Sequence, residues 1–499
     1  MDEPGLAALE ARVRDDLAKI AHPRACWLEP KPTADGSPAF DVVVAGAGQS
    51  GIAVGFGLLR ARVDNILLVD RAPRGQEGPW RTYARMDTLR SPKDFTGPDL
   101  DIPSLTYEAW HEARFGRAAW EALDLIPREL WADYLLWVRE MTGVPVENET
   151  ALVDVAPAGD LLALTLETKA GSRVVQARKL VLATGQESTG RWWLPEAIER
   201  LPAGFRAHTA EAIDFASLAG REVAVIGAGA SAFDNAATAL EHGAARVRLF
   251  CRRLEPQVIQ PYRWLTFKGF LANLSDLDDA WRWRFMRHIL GLREGFPQAT
   301  WDRCARQSTF ELVTGAGISA AEVLGDRVRL VTDRGPALVD FVIAGTGIEN
   351  DFALRPELRR LAANIKTWGD AYDPPPDERD RRLARFAYLG RDYAFVEREP
   401  GLTPWIRNIH LFSIGSTMSF GPSGSSINAM TTAVPKLING ITAGLFADDI
   451  ERHWASLLAY DVPQAVLRRG DRGLSVQDEA RTTDGRCHAE LSSTGPTGR

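Results

Sequence analysis

Continuous apolar runs alternate with small-residue helical stretches twice along this chain. In FDVVVAGAGQSGIAVGFGLLRARVDNILLVD, residues 42–45 are apolar without alternation, as in a parallel strand covered on both faces. The stretch therefore predicts strand, tight turn, helix and strand, a buried βαβ unit whose helix lies close to the sheet through its small residues. Residues 100–142 carry aromatic side chains at helical intervals. Period-two alternation returns in ALVDVAPAGDLLALTLETKAG and ends in the buried run KLVLATG. The same programme restarts at REVAVIGAGASAFDNAATALEHGAARVRLFCRR. A Trp-rich, mostly helical insertion over 255–312 follows, then the strand VDFVIAGTG. IHLFSIGSTMSFGPSGSSINAMTTAVPKLINGI closes the pattern with a strand, a Gly/Ser loop and a long helix.

Composition narrows the class without choosing the chemistry. The 499 residues are 45% hydrophobic and 25% charged with a net charge of -7, which suits a multi-domain globular protein and gives no signature for binding nucleic acid. Cys26, Cys251, Cys304 and Cys487 are widely spaced, with no C-x-x-C pair and no metal-ligand spacing, so a reducing, cytoplasmic setting is expected and no metal site. The acidic N-terminus lacks a signal-peptide core, and no apolar run reaches the roughly 20 residues of a membrane span.

The two restarts share a glycine turn. In GAGQSG, Gly46 permits the tight turn, Gly48 leaves room for a pyrophosphate against the backbone, and Gly51 allows close helix packing. The helix N-terminus then offers unpaired N–H groups to the anion. Asp70 ends the second strand about 20 residues on, where a carboxylate can hold ribose hydroxyls. In the second turn, Gly227 and Gly229 repeat the phosphate-facing roles beside Ala230 and Ser231, and Ala232 takes the packing position. The following strand closes with Arg252 and Arg253 instead of an acid. These either pair with a 2′-phosphate, favouring NADPH, or are solvated surface charges.

One module for FAD and one for a nicotinamide give the expected fold class: α/β, with two Rossmann-like dinucleotide-binding domains, the second inserted in the first. The expected boundaries are a helical extension at 1–39, an FAD-binding domain over 40–215 and 341–465, an NADPH-binding domain over 216–340, and a disordered tail at 466–499.

GAGQSG, GPWRTY, LVLATG, VAVIGAGASAFD and LFSIGSTMSFGPSGSSINAM occur in an order that resembles the two-dinucleotide-binding-domain flavoproteins over residues 40–461. Within these the resemblance is to the flavin-containing, Baeyer-Villiger and N-hydroxylating monooxygenases. It implies that Gly46, Gly48, Gln49, Ser50, Gly51, Asp70 and Arg71 hold the ADP half of FAD, and that Trp80 lies by the flavin. Leu152 would contact adenine through its backbone, and Thr184 and Gly185 would mark where the chain passes the cofactor. N–H groups of Gly424, Ser425 and Ser426 would face the flavin pyrimidine, unless the serines simply cap the next helix.

The implied reaction is oxygenation of a small molecule at nitrogen, sulfur or a carbonyl carbon by a peroxyflavin formed from FAD, NADPH and O2. The alternatives are a flavoprotein oxidase or dehydrogenase that does not use NADPH, or a non-catalytic flavin carrier. The disulfide reductases of this architecture need the neighbouring cysteines that are missing. The linker LPAGFRAHTAEAIDF keeps Gly204 and His208 of the monooxygenase fingerprint but has Pro202 and Ala212 at its aromatic positions. His208 is thus either functional or a linker residue. Asp87 is either a polar group near the flavin or a surface acid, and Arg90 pairs with Asp87 or with a cofactor phosphate. Trp264, Trp281, Trp283 and Trp301 are read as packing before pocket lining. Neither the substrate nor the oligomeric state is legible.

Overall fold

The computed structural model describes residues 3–21, 24–292 and 294–465. The tail expected to be disordered, 466–499 with Cys487, lies outside the described residues. The chain divides into a large unit, residues 1–445, and a small one from 446 onward.

In the large unit the first module builds a seven-stranded sheet. Six of its strands are β1 (Phe40–Ala45), β2 (Ile66–Val69), β3 (Val146–Glu147), β4 (Ala151–Ala158), β5 (Leu161–Thr168) and β6 (Gly171–Leu182), in the order β3-β2-β1-β6-β5-β4, and the seventh, Ile409–Leu411, pairs with β6. β1 is parallel to β2 and to the second half of β6, and the first half of β6 turns back antiparallel to β5, so one strand joins a parallel sheet to a meander. Residues 42–45 are buried, as the unalternating run predicts. A short ribbon pairs β7 (Gly190–Trp192) with a later strand near residue 349.

The second module repeats the plan. β8 (Arg206–His208), β9 (Glu222–Ile226), β10 (Arg246–Cys251) and β11 (Phe310–Thr314) join a parallel sheet, and β12 (Ile318–Leu324), β13 (Arg327–Thr332) and β14 (Gly335–Val339) form its meander. β15 (Phe341–Ala344) returns between β8 and β9, giving the order β11-β10-β9-β15-β8. The second sheet therefore reaches outside the expected 216–340 at both ends, because β8 finds its partner in β15. β16 (Ile348–Asn350) completes the ribbon with β7, and β17 (Ile409–Leu411) returns to β6 in parallel, which makes the second module an insertion between strands of the first sheet.

Between β10 and β11 lie, among the described residues, four α-helices, Pro261–Trp264, Lys268–Asn273, Asp279–Leu292 and Gln298–Ala305. Trp283 is buried in a core with Trp368, Leu383 and Met418, and its Nε1 donates to the Glu378 carbonyl at 3.0 Å. Trp301 packs on Phe233 of the second module. The packing expectation thus holds for these two, whereas Trp264 and Trp281 are more than half exposed and belong neither to a closed core nor to a closed pocket.

The small unit begins at the end of helix Met430–Asp448 and continues in helix Ile450–Leu458, whose Ile450, Trp454, Leu457 and Leu458 are exposed. Among the described residues no helix is long and apolar enough to cross a membrane.

Candidate active site

Both glycine turns sit where a parallel strand hands over to a helix, at the carboxyl edge of a sheet. Gly46 has φ +101°, and a Cβ there would lie 2.3 Å from the Ala183 carbonyl oxygen at the end of β6. Gly48 caps helix Gln49–Arg60 with no side-chain cap, and a Cβ on it would meet only Gly78, at 3.8 Å. The first turn therefore presents an open helix N-terminus, an arrangement suited to a phosphate. Gly51 has no room at all, since its Cβ would fall 1.8 Å from the Gly46 oxygen.

Around this turn the structure gathers residues that are remote in sequence. Asp70 is buried, and its two carboxylate oxygens accept the N–H groups of Ala47 at 2.7 Å and Ala72 at 2.8 Å. Burial pushes its carboxyl above the usual range while these amides pull it back. Asp70 thus braces the turn, a role the strand-end reading did not give it. Its carbonyl accepts from Thr150 N, two residues before Leu152, where the register of β4 against β5 shifts. Gln49 accepts from Trp131 Nε1 at 3.3 Å, and Ser50 Oγ donates to the Gly424 carbonyl at 3.0 Å. Arg71, largely exposed, pairs with Glu187 at 2.6 Å, just past Gly185.

A narrow cleft opens beside the turn, lined by Gly48, Ile52, Glu77, Trp80, Leu135 and Arg139. The Glu77–Arg139 ion pair, 3.1 Å and nearly buried, was missed in the sequence because its members stand 62 positions apart. Three buried polar atoms of this neighbourhood, Trp80 Nε1, Thr184 Oγ1 and Asn428 Nδ2, find no hydrogen-bond partner among the described residues. Burying such groups unpaired is costly, so their presence with the uncapped helix and the glycine cradle fits a polar ligand, as FAD is.

Gly424 is pressed against the end of β17, where a Cβ would lie 2.3 Å from Ser413 N. The helix after it starts only at Met430, and the Ser426 hydroxyl pairs with the Asn428 side chain. Capping by Ser425 or Ser426 is thereby corrected: the loop continues too far before the helix begins.

The second turn matches the first in backbone. Gly227 has φ +109°, with a Cβ position 2.3 Å from the Gly345 oxygen at the end of β15. Gly229 caps helix Ala230–Glu241 without a side-chain bond and faces open space. Ala230 is buried and Ser231 exposed. Ala232 is explained by its neighbour: a Cβ on Gly345 would fall 2.7 Å from the Ala232 methyl, whereas in the first turn Gly51 faces Ala183. The methyl group thus sits on the strand side in the first module and on the helix side in the second. Arg252 and Arg253 both lie exposed after β10, but Arg253 donates to the Gly291 carbonyl at 2.9 Å, which leaves Arg252 as the guanidinium open to a ligand.

For Asp87 and His208 the surroundings favour the second of the two readings, and for Arg90 they depart from both. Asp87 is a surface acid, its side chain 73% exposed and 3.5 Å from Arg303. Arg90 pairs neither with Asp87 nor with a phosphate-facing turn; its guanidinium joins Asp234 at 2.6 Å and Glu294 at 3.1 Å. His208 is buried at the end of β8, accepts from Ala210 N through Nδ1 at 3.1 Å and packs on Trp192. Burial lowers its pKa to about 4, against the Gly347 carbonyl and Glu187, so it is neutral near pH 7 and poorly suited to donate a proton.

Residues 43–187 match a family described as FAD-NAD(P)-binding. The chain is 38% identical over 462 residues to the FAD-dependent urate hydroxylase of Xanthomonas campestris pv. campestris, covering 92% of this chain and 97% of that protein. Solved structures of the same fold include the ornithine N-hydroxylase of Kutzneria sp. 744 with reduced FAD, NADP+ and L-ornithine, at TM-score 0.64 and 17% identity over 82% of this chain and 100% of that one. L-lysine 6-monooxygenase from Pseudomonas syringae aligns at TM-score 0.62 and 19% identity, over 81% and 99% of the two chains. Two dinucleotide turns on two parallel sheets, and a likeness that runs almost end to end, place this chain in the family of that hydroxylase, among the two-dinucleotide-binding-domain flavoprotein monooxygenases.

Proposed function

We propose that the protein draws electrons from NADPH onto FAD and uses O2 to hydroxylate urate or a closely related heterocycle. The observation that carries the two-cofactor part is the pair of uncapped helix N-termini, at Gly48 and Gly229, each on its own parallel sheet. The substrate class is carried by the likeness to a urate hydroxylase over 92% of this chain.

In this reading the first turn holds the FAD pyrophosphate on the N–H groups after Gly48, with Thr184 and Trp80 supplying polar contacts from either side. Asp70 keeps the turn in shape, and its remaining lone pairs could accept a ribose hydroxyl. Arg71 and the backbone of Leu152 lie on the adenosine side, beside the end of β2. The second turn takes the NADPH pyrophosphate, with Arg252 facing the 2′-phosphate as a free guanidinium. The N–H groups of residues 424–426 favour negative charge on the flavin pyrimidine. Reduced FAD supplies the two electrons that activate O2, one oxygen atom entering the substrate and the other leaving as water. The chain's own tasks are to hold both cofactors in register and to keep water from the reacting atoms.

The test is anaerobic mixing of FAD-loaded protein with NADPH, followed by aerobic turnover with urate. NADPH should bleach the flavin band, and urate should then disappear in step with NADPH and O2 consumption. A flavin that NADPH leaves oxidised means an oxidase or a flavin carrier; bleaching without urate loss keeps the monooxygenase and discards urate.

A further inference from the structure

Each dinucleotide turn is built within its own sheet, so something else must set one against the other. Residues 85–90 of the first module contact the second. The segment is itself fixed by backbone bonds: Leu89 N donates to the Ile126 carbonyl at 2.8 Å and Arg128 N to the Asp87 carbonyl at 3.0 Å. From it Arg90 reaches helix Ala230–Glu241 of the second module, where Nη2 lies 2.6 Å from Asp234. Asp234 stands five residues after Gly229, its side chain only 3% exposed, and its other oxygen accepts from Thr300 Oγ1 at 3.0 Å. Glu294 closes on the second nitrogen of Arg90 at 3.1 Å.

The far end of the same helix is tied to the same segment. Glu241 holds Arg303 at 2.7 and 2.8 Å, and Arg303 donates to the Arg85 carbonyl at 3.4 Å and lies 3.5 Å from Asp87. Asp234 and Glu241, seven residues apart, share a helix face. The first tie buries its acid more deeply, Asp234 at 3% against Glu241 at 40% exposed. The first is the more demanding, because a misplaced Arg90 leaves the buried Asp234 carboxylate uncompensated.

We propose that the Arg90–Asp234 pair positions the second dinucleotide turn against the flavin-bearing module for hydride transfer. Arg90 is thereby a positioning residue and not a cofactor ligand. The inference rests on the reading that the second turn holds NADPH. The transfer it serves moves one hydride, two electrons and a proton, from NADPH to FAD, leaving NADP+ and reduced flavin. A displacement of about 1 Å at such a contact costs on the order of a hundredfold in rate, while binding to a turn that is itself intact changes little.

The experiment uses Arg90→Lys, Asp234→Asn and the double variant, each loaded with FAD, in anaerobic stopped flow over a range of NADPH concentrations. Each single variant should lower the limiting rate of flavin reduction by about 10- to 100-fold and change the NADPH Kd by less than about threefold. The double variant should be no slower than the worse single one, since both break the same contact. Hydrogen exchange without NADPH gives a readout apart from turnover: residues 85–90 and helix Ala230–Glu241 should lose protection together in either variant, with the β1 and β6 amides unchanged. If the wild type is not reduced by NADPH, the functional reading falls and this inference with it. If the wild type is reduced and the variants follow at its rate, or if the whole effect lies in Kd, only the positioning role is overturned. Exchange that rises on one side of the contact alone, or throughout the first sheet, also overturns it.

Discussion

At the scale of single residues, the first two glycines of the first turn do different things. Gly46 is required by the backbone, with a positive φ and the Ala183 oxygen against it, whereas Gly48 faces a space the protein leaves open. Gly46→Ala should cost about 2–3 kcal/mol of stability and the bound flavin with it. Gly48→Ala should melt within about 2 °C of the wild type but lose at least about tenfold in FAD affinity, since its methyl group meets the ligand instead of the protein. Melting of the apoproteins and flavin titration separate the two effects. His208 makes a pH prediction. Its folded pKa, about 4, lies below the ordinary histidine value, so the unfolded chain binds a proton first. Its burial costs nothing above about pH 6.5 and destabilises the fold as pH falls from there toward about 4, by about 3 kcal/mol in all. Asn at this position keeps an acceptor for Ala210 N, so urea unfolding of His208→Asn at pH 7.5 and 4.5 should show a smaller loss than the wild type. His410, also lowered by burial, is common to both proteins and cancels.

At the scale of elements, the two βαβ units place their glycine and alanine differently where the helix meets the strand end. In the second unit helix and strand end approach so closely that only one of Ala232 and Gly345 can carry a methyl group, whereas in the first the Gly46 carbonyl keeps Gly51 bare and Ala183 carries the methyl at ordinary contact distance. Gly345→Ala should therefore destabilise the protein by about 1–3 kcal/mol through overpacking. Adding Ala232→Gly should return most of it, less about 1 kcal/mol for a glycine within a helix. Chemical denaturation of the single and double variants measures this, and simple additivity would mean that the two positions do not share the contact. The Ala in GAGASA was legible as a variant of the packing position, but not why it is tolerated. The answer lies in Gly345, 113 positions away and joined to it only when β15 enters the second sheet.

At the scale of the whole molecule, each sheet carries its own turn, and this predicts separable ligand effects. FAD held at a hundred times its Kd should stabilise the protein by about 2.7 kcal/mol, and NADP+ added to the flavin-loaded protein should give a second increment set by its own Kd. Gly229→Ala should remove the second increment and keep the first, as read from thermal shifts, because its methyl group would point into the space that the second ligand needs. Loss of both increments would mean that the turns do not act as independent sites.

The sequence by itself determined the two modules, their order and their turns. Unalternating apolar runs, small-residue helices and glycines at fixed spacing are local signals, each set by the sterics of a strand passing closely into a helix. It also showed that the second strand of the second module ends in arginines, though not that Arg253 is tied to Gly291. Only the tertiary structure decided which charged groups face which. Asp87, Arg90 and His208 carried no local signal to tell a surface acid from a flavin neighbour, a clamp from a phosphate ligand, or a buried packing residue from a proton donor. Their roles depend on Arg303, Asp234 and Trp192, which come near only after the second module has folded between the strands of the first. Charge pairing and burial depend on distances in space, and those are fixed by chain topology, not by spacing along the chain.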